Sequence, residues 1–138
     1  TAGSIERLVE EHIRVGNLLT LATVKVDDFS DWRAQFFDFG RIVRDKNGRM
    51  EKIVEKKDAN EDQLKITEVN TSYFCFNADW LWENLKKIKN INAQGEYYLT
   101  DLVKLAFESG VKFSSVTIDP KEAVGVNTKE HLNILENL

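Results

Sequence analysis

Leu18-Leu19-Thr20-Leu21-Ala22-Thr23-Val24-Lys25-Val26 is a nearly continuous run of apolar and β-branched residues. Such a run reads as a strand buried on both faces. Just upstream, Ser4 offers a helix cap. Ile5, Leu8, Val9 and Ile13 then recur at helical spacing, and Gly16 closes the helix. A helix feeding a doubly buried strand signals an α/β domain.

Downstream, residues 27–39 (DDFSDWRAQFFDF) are aromatic and charged without a clear period and read as a loop or excursion, with room for a helical turn. Gly40-Arg41-Ile42-Val43-Arg44 and Met50-Glu51-Lys52-Ile53-Val54-Glu55 read as two strands, and the Asn47-Gly48 step between them favours a tight hairpin. Residues 56–65 are charged loop, and residues 67–76 a central strand. Asn77 caps a helix with Leu81, Leu85 and Ile88 on one face and Lys86, Lys87 and Lys89 in its last turn. Thr100 caps a further helix with Leu102, Val103, Ala106 and Phe107 inward and Gly110 at its end. Residues 113–118 form a strand, and Thr128 caps a last helix carrying Leu132, Leu135 and Leu138. The expected architecture is a mixed sheet flanked by helices.

Composition narrows the function. The 138 residues are 42% apolar, enough for one domain with its own core. Nineteen basic against 23 acidic side chains give net −4, which disfavours a phosphate-backbone binder of nucleic acid. One cysteine, Cys75, leaves no internal disulfide framework. No apolar run reaches the ~18 residues of a membrane span, and no signal-peptide pattern opens the chain. A protein of the cytoplasm, binding neither nucleic acid nor membrane, is expected.

Familiar catalytic devices are missing from the sequence. There is no Gly-x-Gly-x-x-Gly or Walker-type loop, no His-Glu-x-x-His and no Gly-x-Ser-x-Gly. His12 and His131 sit on expected helices and read as boundary or solvent-facing residues; Cys75, in an apolar strand, reads as core. The remaining candidates are polar residues where strands meet loops. Gly40 opens a strand after an aromatic loop, where a glycine serves either a close ligand approach or a turn. Glu55 ends an apolar strand and suits either two sugar hydroxyls or a solvated edge. Asn70, inside an apolar strand, requires partners for its amide, from a ligand or from neighbouring backbone. The stretch Asn92-Ala93-Gln94-Gly95-Glu96-Tyr97-Tyr98-Leu99-Thr100-Asp101 combines tyrosines, an acid and a helix start, as carbohydrate-facing segments do. In Gly125-Val126-Asn127-Thr128, Asn127 fits either a hard-cation ligand or a helix cap.

Taken in order, these pieces resemble the bacterial N-acetylglucosamine-1-phosphate uridylyltransferase family. The resemblance rests on Phe39-Gly40-Arg41-Ile42-Val43-Arg44, Ile53-Val54-Glu55-Lys56-Lys57-Asp58-Ala59, Glu68-Val69-Asn70-Thr71, the Asn92–Asp101 block and Gly125-Val126-Asn127-Thr128, and covers nearly the whole chain. It implies the sugar-binding half of a Rossmann-like nucleotidyltransferase domain. The implied reaction is UTP + N-acetylglucosamine 1-phosphate → UDP-N-acetylglucosamine + pyrophosphate, by in-line attack of the sugar phosphate with Mg²⁺ neutralising the phosphates. The resemblance implies that Gly40 offers its backbone to the sugar, Glu55 accepts sugar hydroxyls and Asn70 binds the sugar through its amide. Tyr98 and Thr100 line the acetamido side, and Asn127 is a ligand to Mg²⁺.

Three departures shape the expectation. The family's N-terminal, nucleotide-binding half has no counterpart between Thr1 and Asp38. Residues 1–138 are therefore expected to be the C-terminal part of the domain, present as an inactive fragment of an enzyme. Ser72 stands where the family usually has glycine after Asn-Thr, and residues 28–38 read as an insertion before Gly40. Two alternatives stand beside this reading: a stand-alone nucleotide-sugar binding or regulatory module, and a thymidylyltransferase-type relative acting on another sugar. The expected small-molecule partner is UDP-N-acetylglucosamine or N-acetylglucosamine 1-phosphate. Central strands lacking neighbours imply a homodimer or pairing with an N-terminal segment.

Overall fold

Six of the seven residues of β1, Leu19–Lys25, are buried. The reason is two-sided packing. Ala22, Val24 and Val26 point to one face with Leu8, Phe36, Val69, Ile118 and Ala123. Leu19 and Leu21 point to the other with Ile42, Met50, Ile53, Val103 and Ala106. A strand between two cores loses the apolar–polar alternation of a half-exposed one.

The computed structural model describes residues 2–125 and 129. Around β1 it arranges α1 (Ala2–Val15), a 3₁₀ helix (Asp31–Asp38), β2 (Arg41–Arg44), β3 (Met50–Val54), a 3₁₀ turn (Lys56–Asp58), α2 (Glu61–Leu64), β4 (Glu68–Phe76), α3 (Ala78–Leu85), α4 (Asp101–Glu108), β5 (Phe113–Thr117) and a last 3₁₀ turn (Pro120–Ala123). The sheet order is β3-β2-β4-β1-β5. β5 runs parallel to β1, and the other pairings are antiparallel. The protein has the expected α/β fold: a mixed sheet with α1 on one face and α4 on the other.

Local chemistry explains most elements. Gly16, at φ +67, ends α1 as its N–H reaches back to His12 and Ile13 carbonyls. The β2–β3 hairpin turns through Asp45–Gly48, with Gly48 at φ +78 and Asp45 Oδ1 accepting from Asn47 and Arg49 N–H. Asn77 caps α3 by accepting from Trp80 N–H at 3.0 Å. A capping box between Asn60 and Gln63 starts α2, a short helix within what the sequence reads as charged loop.

Several expectations need correction. Ser4 lies inside α1, buried, and Arg7 donates to its hydroxyl; it is no cap. Of the expected apolar face of α1, Leu8 is buried, but Ile5, Val9 and Ile13 are exposed. Thr100 makes no capping bond; its hydroxyl goes elsewhere. The 28–38 excursion is mostly 3₁₀ helix with Phe36 fully buried, and Phe29, Trp32 and Phe39 pack against the same core. α3 stops at Leu85, before the lysine run. The expected helix from Thr128 and the position of Asn127 lie outside the described residues.

One backbone feature bears on the site. Leu21 pairs with Phe74 but Thr23 with Asn70, so β4 carries extra residues opposite Ala22. At this bulge Ser72 takes φ +63, a left-handed conformation that costs a residue with a Cβ roughly 1–2 kcal/mol. Thr71 Oγ1 secures the bulge by donating to Ala22 C=O at 2.9 Å. The departure from glycine thus falls where a glycine's freedom would be used.

Candidate functional site

The hairpin brings the end of β3 alongside the start of β2, setting Glu55 against Gly40. A Cβ on Gly40 would lie 3.3 Å from both Glu55 carboxylate oxygens and 2.8 Å from Ile53 Cγ2, so only glycine fits. Gly40 C=O accepts from Asn70 N–H at 2.9 Å, tying β2 to β4 where Arg41 pairs with Val69. From the start of α4, Thr100 Oγ1 donates to Glu55 Oε1 at 2.9 Å. Gly40, Glu55, Asn70 and Thr100 are thus joined through three elements of the fold.

The amide of Asn70, 4% exposed, has a fixed orientation. Its Oδ1 accepts from Ser72 N–H at 3.1 Å, so its NH₂ is the end that can donate to something else. The bulge at Ser72 therefore supplies the N–H that aims Asn70.

Two clefts share Glu55. One, of about 320 Å³, is lined also by Asp38, Lys56, Lys57 and Gln94. The other, of about 210 Å³, includes Asp58, Asn92, Tyr98, Asp101 and Lys104. The partition between them is a bridge. Lys57 Nζ donates to Gln94 Oε1, and Gln94 Nε2 donates to Tyr98 OH at 2.7 Å. Partial burial, with the charges of Asp58 and Glu55, holds the Tyr98 phenol above its ordinary pKa, so it stays a proton donor at neutral pH. Desolvation and nearby Asp58 push the Asp101 carboxyl up, and Lys104 opposes them.

The loop carrying Tyr98 is preformed. Asn92 Oδ1 accepts from Gln94 and Glu96 N–H, its Nδ2 donates to Glu96 C=O, and Gly95 turns at φ +67. Asp58 Oδ1 pins it to the β3 side by accepting from Ala93 N–H at 2.7 Å.

The five described residues expected from the sequence thus surround one carboxylate; Asn127 lies outside the described residues. Sequence reasoning assigned no role to Lys57, Asp58 or Gln94, though all fall within the quoted blocks; a charged run directly after Glu55 was the available signal. It also passed over Arg41. This guanidinium is fully buried between the rings of Phe29 and Phe37, at 4.8 and 5.1 Å, and donates to the carbonyls of Phe37 and Phe39. It anchors the segment running into Gly40. Among the described residues no group of three or more His, Cys, Asp or Glu is gathered to hold a metal ion. None of the described helices is long and apolar enough to cross a membrane.

The arrangement defines a mixed-sheet α/β domain with a polar, hydroxyl-accepting cleft at the junction of β2, β3, β4 and α4. No family model matches the chain. It is 44% identical over 102 residues to the bifunctional protein GlmU of Clostridium novyi (strain NT), covering 74% of this chain and 22% of that protein. It is 39% identical over 139 residues to the bifunctional protein GlmU of Streptococcus thermophilus (strain CNRZ 1066), covering 100% and 29%. With the Clostridium acetobutylicum bifunctional protein GlmU it shares 36% over 132 residues, 96% and 27%. The chain is related to a segment of these proteins and spans about a quarter of their length.

Proposed function

We propose that this chain is the sugar-binding part of an enzyme that transfers a uridylyl group from UTP to N-acetylglucosamine 1-phosphate, releasing pyrophosphate. The observation carrying this reading is the Glu55 carboxylate, fixed by Thr100 on one oxygen and pressed against a glycine that leaves room for nothing larger. Glu55 Oε2 accepts a sugar hydroxyl. The Asn70 NH₂ donates to a sugar oxygen, and Gly40, whose carbonyl is taken, offers its N–H. Tyr98 and Thr100 face the acetamido group. The relatives carry the name bifunctional protein GlmU, which agrees with the family resemblance of the quoted blocks.

The chemistry asked of these residues is positioning. An in-line displacement at phosphorus needs the attacking phosphate oxygen held in register, and a sugar gripped at several hydroxyls provides that. The nucleotide's triphosphate and base are bound by polypeptide beyond these residues, so this chain by itself binds without turning over. Mg²⁺ is expected to accompany the phosphates, with Asn127 as one ligand.

Calorimetry with N-acetylglucosamine 1-phosphate and UDP-N-acetylglucosamine tests the reading. Binding is expected, weakened at least tenfold by Glu55→Gln, about 1.4 kcal/mol. Absence of binding to a folded chain, or binding indifferent to Glu55, overturns it.

A further inference from the structure

The sheet has three places where a strand lacks a neighbour among the described residues, and they differ. β3 carries Glu51 and Lys52 at its edge. The edge of β5 runs between two charged clefts, one with Arg7, Glu10, Glu11 and Arg14 around Val116, the other with Arg44, Arg49 and Lys112. Charged residues of this kind guard edges against further pairing. The third place is inside the sheet. β4 pairs with β1 along its length but with β2 only at Val69. Asn77 N–H reaches Leu18 C=O, so alternation turns the backbone groups of Cys75 toward β1 and those of Phe74 and Phe76 away from it.

This bare edge is apolar on both faces. On the α4 side Phe74, Phe76 and Trp80 stack at 5.5 and 6.4 Å. On the α1 side Tyr73 is exposed beside Cys75. The exposed stripe Ile5, Val9 and Ile13 takes the flank of α1 opposite Arg7 and Arg14, hence turned from β5 toward β4. No charged residue occurs from Val69 to Asn77.

We propose that a second copy of this chain covers this edge, pairing β4 antiparallel with its own copy about Cys75. The register is self-complementary: Phe74 exchanges both backbone bonds with Phe76 of the second copy, and the reverse. Like charges never meet, and the two α1 stripes lie on the same face of the joined sheet. Cys75 then faces Cys75 of the second copy in a non-hydrogen-bonded pair, with Cα atoms about 4.5 Å apart, within disulfide reach. The surface is separate from the Glu55 cleft and does not depend on the function proposed for it.

Sedimentation velocity of the 138-residue chain, from low to high micromolar concentration, is expected to show a monomer passing to a dimer. Over the same range amide exchange at Phe74 and Phe76 slows about tenfold or more, while Cys75, already bonded to β1, is unchanged. Diamide, taking two electrons and two protons from two thiols, links the dimer through Cys75. Tyr73→Lys should leave a monomer; Ile13→Glu, on a helix surface, gives the same reading should the strand variant fail to fold. A monomer throughout overturns the proposal, whether its Phe74 and Phe76 amides exchange fast or are protected by residues of the same chain. So does a dimer that ignores both substitutions and forms no Cys75 link.

Discussion

Gly40 and Glu55 are matched in space: both carboxylate oxygens of Glu55 lie 3.3 Å from where a Gly40 Cβ would sit. Ile53 Cγ2, at 2.8 Å, closes the remaining direction. Gly40→Ala must therefore displace the β3 backbone or the carboxylate. Overpacking of this kind costs about 1–3 kcal/mol. Urea denaturation should show that loss, and calorimetry a weaker sugar phosphate. A variant as stable and as tight as the original would show that the strands yield freely here.

Thr100 holds Glu55 rather than its own helix. Thr100→Val keeps the shape and removes the donor, costing about 1 kcal/mol, while Thr100→Ser retains the bond. If the hydroxyl mattered only to helix initiation, the valine variant would lose α4 helicity and leave binding alone. The geometry predicts the reverse, read by circular dichroism against calorimetry.

Ser72 has a left-handed backbone at an exposed bulge. Ser72→Gly is expected to stabilise the protein by about 1 kcal/mol, less the entropy a glycine adds to the unfolded chain. Ser72→Val should destabilise it by more than that, because β-branched side chains tolerate this region least. Because Ser72 N–H aims the Asn70 amide, a variant that straightens the bulge should also weaken sugar binding.

Arg41 is buried without a carboxylate at its guanidinium, held by two carbonyls and two aromatic rings. Burial pulls its pKa below the ordinary arginine value, with Asp38 opposing. Arg41→Lys cannot reproduce the planar stack or both bonds. A loss of about 2–4 kcal/mol is expected, since the Phe37 and Phe39 carbonyls lose their donors. Thermal unfolding of the lysine and methionine variants would reveal it.

Acid should loosen the segment before the 3₁₀ helix. Asp28 accepts from Ser30 Oγ and N–H and from Arg33, and its pKa falls from 3.8 to about 2. A carboxyl depressed on folding stabilises above its unfolded pKa and loses that contribution as pH falls from about 4 to about 2. Asp28→Asn should flatten the stability profile in that window. An NMR titration placing Asp28 at its ordinary value would remove the basis for this.

The sequence by itself determined β1, β4, the β2–β3 hairpin and the cap at Asn77, because periodicity, a glycine turn and a capping side chain are written within a few neighbouring residues. It also placed Gly40, Glu55, Asn70, Tyr98 and Thr100 at strand ends and loops. Only tertiary structure decided which partner each would have. Thr100 stands at a helix start in either account, but Glu55, 45 positions away, claims its hydroxyl. Ile5, Val9 and Ile13 repeat at helical spacing, yet no described element covers them, whereas the aromatic excursion that lacks a period buries Phe36 completely. Local spacing records which side of an element is apolar; what lies against that side is set by chain brought from far away, and spacing carries no trace of it.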